Sequence, residues 1–194
     1  FNSAHLIRGN DILLDFYDDP EALGFLLDLV TDYMIDLVPY LRDMIHGSNE
    51  WFLDYGALWK GGARISNCTM HLISPAMYKK FVFQRDMRLF KEIGGGRIHY
   101  CGLYREVVDE FIKIPNLTGL DFNSGLPASE LWNLAEKVPE NVTLMKDMAK
   151  DSPEMQRLMS GDWPRKRNII ILTEAESVDE AKDMLCKLRK SVPG

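Results

Sequence analysis

Five short apolar runs, most of them trailed by a helix start, dominate the chain after residue 60 and restrict its fold more than any other feature. The runs are Ala63–Cys68, Arg97–Cys101, Leu117–Phe122, Val142–Met145 and Asn168–Leu172. Ser74-Pro75 caps a stretch reaching Ile93. Pro127 opens Ala128–Val138, with Ser129 and Glu130 close by. Ser152-Pro153-Glu154 opens another helix, and Ser177-Val-Asp-Glu180 is a capping box. Strand then helix, repeated at roughly 20–30-residue spacing, is the signature of parallel βα units. Five such units fit a doubly wound sheet or part of a (β/α)₈ barrel. A complete barrel takes about 250 residues. A chain of 194 residues, with no strand expected in its first 60, is too short for one.

Before these units the chain reads as helix, over residues 11–46. Asp19-Pro20-Glu21 combines a capping side chain, a first-turn proline and an acid at the positive helix end. Leu23, Leu26, Leu27, Val30, Met34, Leu37, Val38, Leu41 and Ile45 then recur at helical spacing. Pro39 predicts a kink, because it removes one backbone bond and crowds the preceding turn. His46-Gly47-Ser48-Asn49 is the expected end. No long linker divides the chain. The expectation is one domain over 1–194, mainly helical over 1–62 and built of βα units over 63–194.

The net charge of −6 argues against a nucleic-acid-binding surface, which needs clustered Lys and Arg. Arg165-Lys166-Arg167 is the one basic cluster, and it reads as a solvated loop. No apolar run approaches the ~18 residues that span a bilayer, and no signal-peptide pattern opens the chain. Three cysteines form no disulfide framework, so a reducing cytoplasm is the expected compartment. Residue 1 is Phe, so the expectation is a chain that is processed, trimmed or a piece of something longer.

His99 and Cys101 are the most pointed pair. Side chains two apart on a strand share a face. These two sit at the carboxyl end of theirs, where parallel α/β folds build active sites, and Gly102 lets the backbone turn away. Imidazole and thiolate suit Zn²⁺ at bond lengths of about 2.0–2.3 Å. The plain alternative is a His99 bonded to a carbonyl and a Cys101 buried as a small hydrophobe. Two ligands are also too few, since catalytic zinc usually keeps three protein ligands and an open position. Cys68 ends the preceding strand in the phase of Arg64 and Ser66. Neighbouring strands lie about 4.8 Å apart, so its thiol is a candidate third ligand. Glu174, past the last strand, is either a ligand or substrate contact or a solvated acid before a helix. Asp121 ends the third strand and binds substrate, orients His99 or caps the next turn. Cys186, on the face of Met184, Leu185 and Leu188, reads as core. His71 reads as a surface or capping residue.

The stretch LISPAMYKKFVFQRDMRLFKEIGGGRIHYCG, residues 72–102, resembles the uroporphyrinogen decarboxylase superfamily, which includes zinc-dependent methyltransferases acting on methylated corrinoid proteins. The likeness rests on Ser74-Pro75, on the aromatics Tyr78 and Phe81, and on the glycine-rich turn before H-x-C-G. It extends to GLDF at 119–122, to NVTLM at 141–145 and to LIRGNDILLDFYDDPEAL at 6–23. The family fold is a (β/α)₈ barrel, so the resemblance implies a partial TIM barrel. The five units here would be its last five, preceded by helices.

The resemblance implies zinc as cofactor, held by His99 and Cys101, with a corrinoid as methyl carrier and a thiol as acceptor. It also implies a small-molecule substrate and a possible corrinoid protein as partner. The methyltransferases place their third zinc ligand, a cysteine, after the last strand, and the decarboxylases place a histidine nearby. Leu172-Thr173-Glu174-Ala175-Glu176 offers neither, so Cys68 or Glu174 has to substitute. The alternatives are a cofactor-free tetrapyrrole decarboxylase and a non-catalytic binding module with a degenerate metal site. The N-terminal arginines on which the decarboxylases rely, and the aspartate that grips the pyrrole nitrogens, have no counterpart here. Five strands alone leave raw edges. The expectation is a homo-oligomer or a preceding segment that completes the barrel.

Overall fold

The computed structural model describes residues 1–45, 50–102, 105–122, 126–165 and 168–193. The expected helix end at 46–49 and two residues of the basic cluster, 166 and 167, lie outside them. The chain forms two units, Phe1–Leu126 and Pro127–Gly194.

The first unit opens with helices α1 (Asn2–Arg8), α2 (Ile12–Asp18) and α3 (Pro20–Ile45). The single helix expected over 11–46 is split, because Asp19 acts as a cap: its Oδ1 accepts from the Ala22 N–H at 3.0 Å. Helix α3 runs through Pro39 and buries Leu23, Leu27 and Thr31, one side chain per turn.

A hairpin follows, β1 (Trp51–Asp54) and β2 (Ala57–Lys60), paired antiparallel. The sequence reading placed no strand here, and the structure corrects it. Tyr55 and Gly56 both take positive φ, 50° and 67°, in a two-residue turn whose twist matches that of its strands. Tyr-Gly lacks the Asn-Gly or Asp-Gly signature, so the turn gave no local signal.

Three parallel strands carry the rest of the unit: β3 (Ala63–Asn67), β4 (Gly96–Tyr100) and β5 (Leu117–Phe122). Parallel neighbours require a crossover. The first is a continuous helical run of α4 (Pro75–Met77), a π-helical turn (Tyr78–Val82) and α5 (Phe83–Ile93). It starts where Ser74 Oγ accepts from the Met77 N–H at 3.2 Å. It ends where Gly94 turns left-handed at φ 83°. Gly95 and Gly96 then pass so close to the Asn116 and Ala63 carbonyls that a Cβ at either would overlap them. The second crossover is α6 (Val108–Phe111).

Register sorts the two faces. Arg64 lies beside Arg97, Ser66 beside His99, Arg97 beside Gly119, and His99 beside Asp121. The opposite face carries Ile65, Ile98, Tyr100, Leu120 and Phe122. Tyr100 packs edge-on against Phe111 at 5.3 Å, and Phe111 packs against Tyr78 at 5.4 Å. Asn67, also on this face, donates to Asp86 Oδ2 at 3.2 Å, and the Tyr78 hydroxyl donates to the same oxygen at 3.1 Å. Burial raises the pKa of Asp86 and pushes the Tyr78 phenol well above its ordinary range.

The second unit contains α7 (Glu130–Lys137), β6 (Thr143–Asp147), α8 (Pro153–Met159), β7 (Ile169–Leu172) and α9 (Val178–Ser191). Strands β6 and β7 pair in parallel. The expected caps operate. Ser152 Oγ accepts from the Met155 N–H at 3.1 Å, and Ser177 Oγ from the Glu180 N–H at 3.2 Å. Glu180 reaches back to the Glu176 N–H, one residue before the cap. Cys186 departs from its expected core position and is exposed, because α9 buries only Met184 among these neighbours. The protein is therefore α/β, with helices alternating between parallel strands. Among the described residues no helix is long and apolar enough to cross a membrane.

Candidate metal centre

The site lies in the first unit, at the carboxyl ends of β3 and β4. Residues 97, 99 and 101 follow one another along one face of the β4 segment, so Arg97, His99 and Cys101 form a short polar column. Cys68 begins the turn directly after β3. Since Asn67 is in register with Tyr100, the two cysteines are each one residue past a paired position.

Cys101 Sγ stands 3.0 Å from His99 Nε2 and 3.6 Å from Cys68 Sγ. The three donor atoms lie within 4.8 Å of one another. Zinc bond lengths of about 2.0–2.3 Å at a tetrahedral angle place neighbouring donors about 3.5–3.8 Å apart. The sulfur–sulfur distance falls in that range, and the nitrogen–sulfur contact needs only a small opening. His99 is buried while both thiols are partly exposed, so the cluster has a dry back and an accessible front. Two sulfurs and one imidazole nitrogen are a donor set that could hold a metal ion.

The surrounding groups orient this set. Asp121 Oδ1 accepts from His99 Nδ1, which leaves Nε2 facing the sulfurs. Asp121 is held in turn by Arg97, whose Nε lies 3.2 Å from Asp121 Oδ2 and whose guanidinium also pairs with Asp54. Arg97 is completely buried, with its guanidinium 4.5 Å over the Trp59 ring and 5.7 Å over Tyr55. Burial lowers its pKa and Asp121 opposes that shift. Trp59 fits because Gly119 has no side chain: a Cβ there would overlap the indole. On the near side, Ser66 Oγ is 3.0 Å from Cys68 Sγ.

Cys68, His99 and Cys101 are thus brought together, and Asp121 takes the His99-orienting place among its expected roles. Glu174 lies in the second unit as an exposed residue past β7 and is not part of the trio. His71 caps locally, its Nδ1 2.8 Å from the Cys68 carbonyl oxygen. The sequence reading missed Arg97, Asp54 and Ser66. A signal was present for Arg97 and Ser66, because Arg64-Ile65-Ser66 and Arg97-Ile98-His99 alternate in the same phase.

Fold and site together define an α/β protein with a Cys₂His donor cluster at its strand ends. Comparison with protein-family models, with curated proteins and with solved structures finds no match for this chain.

Proposed function

We propose that this chain is a zinc-assisted, methyltransferase-like protein of the uroporphyrinogen decarboxylase superfamily. In this reading its parallel strands form part of a (β/α)₈ barrel, and it moves a methyl group between a corrinoid carrier and a thiol. One observation carries the reading: Cys68, His99 and Cys101 converge where an H-x-C-G segment ends its strand. Cys68 takes the place of the ligand that the segment after the last strand lacks.

In this reading Cys68, His99 and Cys101 hold the zinc. Bound there, zinc supplies positive charge that keeps a substrate thiol as nucleophilic thiolate near neutral pH. Asp121 fixes the imidazole and raises its basicity as a ligand. Arg97 holds Asp121 in place. Trp59 and Tyr55 lie against the guanidinium and keep water from it, which strengthens every charge interaction behind the site. The exposed thiol side admits the acceptor. An odd count of three cysteines, with no disulfide framework, suits a reducing cytoplasm.

The test is metal content followed by turnover. Purified reduced protein is expected to carry one zinc per chain, and His99→Ala none. Zinc-loaded protein is expected to demethylate methylcobalamin in the presence of small thiols. Wild type that takes up no more zinc than His99→Ala removes the proposal.

A further inference from the structure

We propose that Cys68 and Cys101 are an oxidisable pair, whose disulfide withdraws both sulfur donors from the metal site. The zinc half of this inference rests on the function proposed above; the pairing itself rests on geometry alone.

Three observations carry it. First, the thiols are neighbours by register, each one residue beyond the paired Asn67 and Tyr100. Adjacent strands lie about 4.8 Å apart, inside the Cα separation of about 4.4–6.8 Å that a disulfide spans. Second, the sulfurs are already 3.6 Å apart. Closing to a bond of about 2.05 Å leaves about 1.5 Å to cover, a displacement on the scale of a side-chain rotation. Third, both cysteines are partly exposed, so a small oxidant reaches them, and both sit just past the strand ends, clear of the packed apolar face. Cys186 is exposed on α9 and outside the donor cluster, which makes it an internal control.

The chemistry balances with a peroxide as oxidant. One sulfur attacks a peroxide oxygen, the O–O bond breaks, and a sulfenic acid and one water form. The second sulfur attacks the first, the S–O bond breaks, a second water leaves and the S–S bond forms. Two thiols give up two electrons and two protons, and one hydrogen peroxide becomes two waters. A dithiol reductant reverses the bond by exchange. A disulfide sulfur is no longer a thiolate, so the oxidised site keeps only His99 of its three donors. Conversely, zinc engages both sulfurs and shields them from attack.

The experiment treats reduced Cys186→Ser protein, zinc-free and zinc-loaded, with limiting hydrogen peroxide. Tryptic peptides 65–79 and 98–105 are then followed by mass spectrometry. Zinc-free protein is expected to give these two peptides joined, two hydrogens lighter than their sum. Dithiothreitol is expected to restore them. Zinc-loaded protein is expected to cross-link at least tenfold more slowly and to release one zinc per bond formed. Separate sulfinic acids on Cys68 and Cys101 with no joined peptide overturn the pairing, and joining that proceeds at an unchanged rate with zinc bound overturns the claim that disulfide and metal compete for the same sulfurs. Protein that cross-links but takes up no zinc supports the pair and removes the metal reading. Protein that takes up zinc but never cross-links does the reverse.

Discussion

One face of β3, β4 and β5 presents Ile65, Ile98, Tyr100, Leu120 and Phe122; the other presents Arg64, Ser66, Arg97, His99 and Asp121. The strands are shared, so the difference between the faces is a difference of purpose. On the first, Ile98, Tyr100, Leu120 and Phe122 are almost completely buried, and such side chains each contribute about 1.5–3 kcal/mol by leaving water. On the second, a completely buried guanidinium carries a desolvation cost of several kcal/mol, offset by Asp54, Asp121 and two aromatic rings. A chain folding for stability alone would do better with hydrocarbon at position 97. The polar face is what the site requires, and the apolar face supplies the stability that allows it. The two buried aspartates repeat the contrast. Asp121 is held by a cation and an imidazole, whereas Asp86 receives hydrogen bonds from the uncharged Asn67 and Tyr78, and burial raises its pKa against the opposing pull of those bonds and of the Phe1 amino group.

The sharpest way to break this division is at the donors. Cys101→Ser is expected to abolish stoichiometric zinc binding while leaving the thermal midpoint of the metal-free protein nearly unchanged, as read by chelator competition and calorimetry. Next in size are two substitutions of similar cost and opposite meaning. Phe111→Ala, behind the apolar face, is expected to lose about 3–5 kcal/mol of stability in urea titration and to leave zinc affinity intact in the folded fraction. Arg97→Met is expected to lose a comparable amount, about 3–5 kcal/mol, because it takes the buried cation from Asp121 and leaves Asp54 with its longer 3.8 Å contact to Arg64, and also to weaken zinc. If both variants keep wild-type affinity, the polar column has no part in the metal site. Asp121→Asn comes third, with zinc binding weakened about 10–100-fold and a smaller loss of stability than Arg97→Met, since the buried guanidinium keeps Asp54 as counter-charge. The smallest effect concerns Asp86. Its folded pKa is raised above the ordinary 3.8, chiefly by burial. As pH climbs from that value to the raised one, the unfolded chain releases a proton that the folded chain keeps, so stability falls through the window and then levels. Asp86→Asn is expected to remove this slope from urea midpoints measured across acidic pH.

The parts of this architecture legible in sequence were those fixed by near neighbours. Ser74, Ser152 and Ser177 announce their helices because a cap acts within three residues, and the two-residue spacing of His99 and Cys101 announces a shared face. Cys68 was legible as a candidate through strand phase, although the register that brings its sulfur to Cys101 is a tertiary fact. Arg97 was not seen, since a buried arginine depends on Asp54 and Trp59, both some forty residues away. The π-helical turn left no mark of its own in an otherwise helical pattern. Cys186 misled because helical periodicity names a face without saying whether anything covers it.

Gly119 lies beside Arg97 in register, and the indole of Trp59 rests where its side chain would be. A single methyl group there would lever the tryptophan upward, tilt the hairpin that carries it and admit solvent to the guanidinium beneath. How dry the ladder from Asp54 to His99 stays is therefore governed at one position by a hydrogen atom standing in place of carbon.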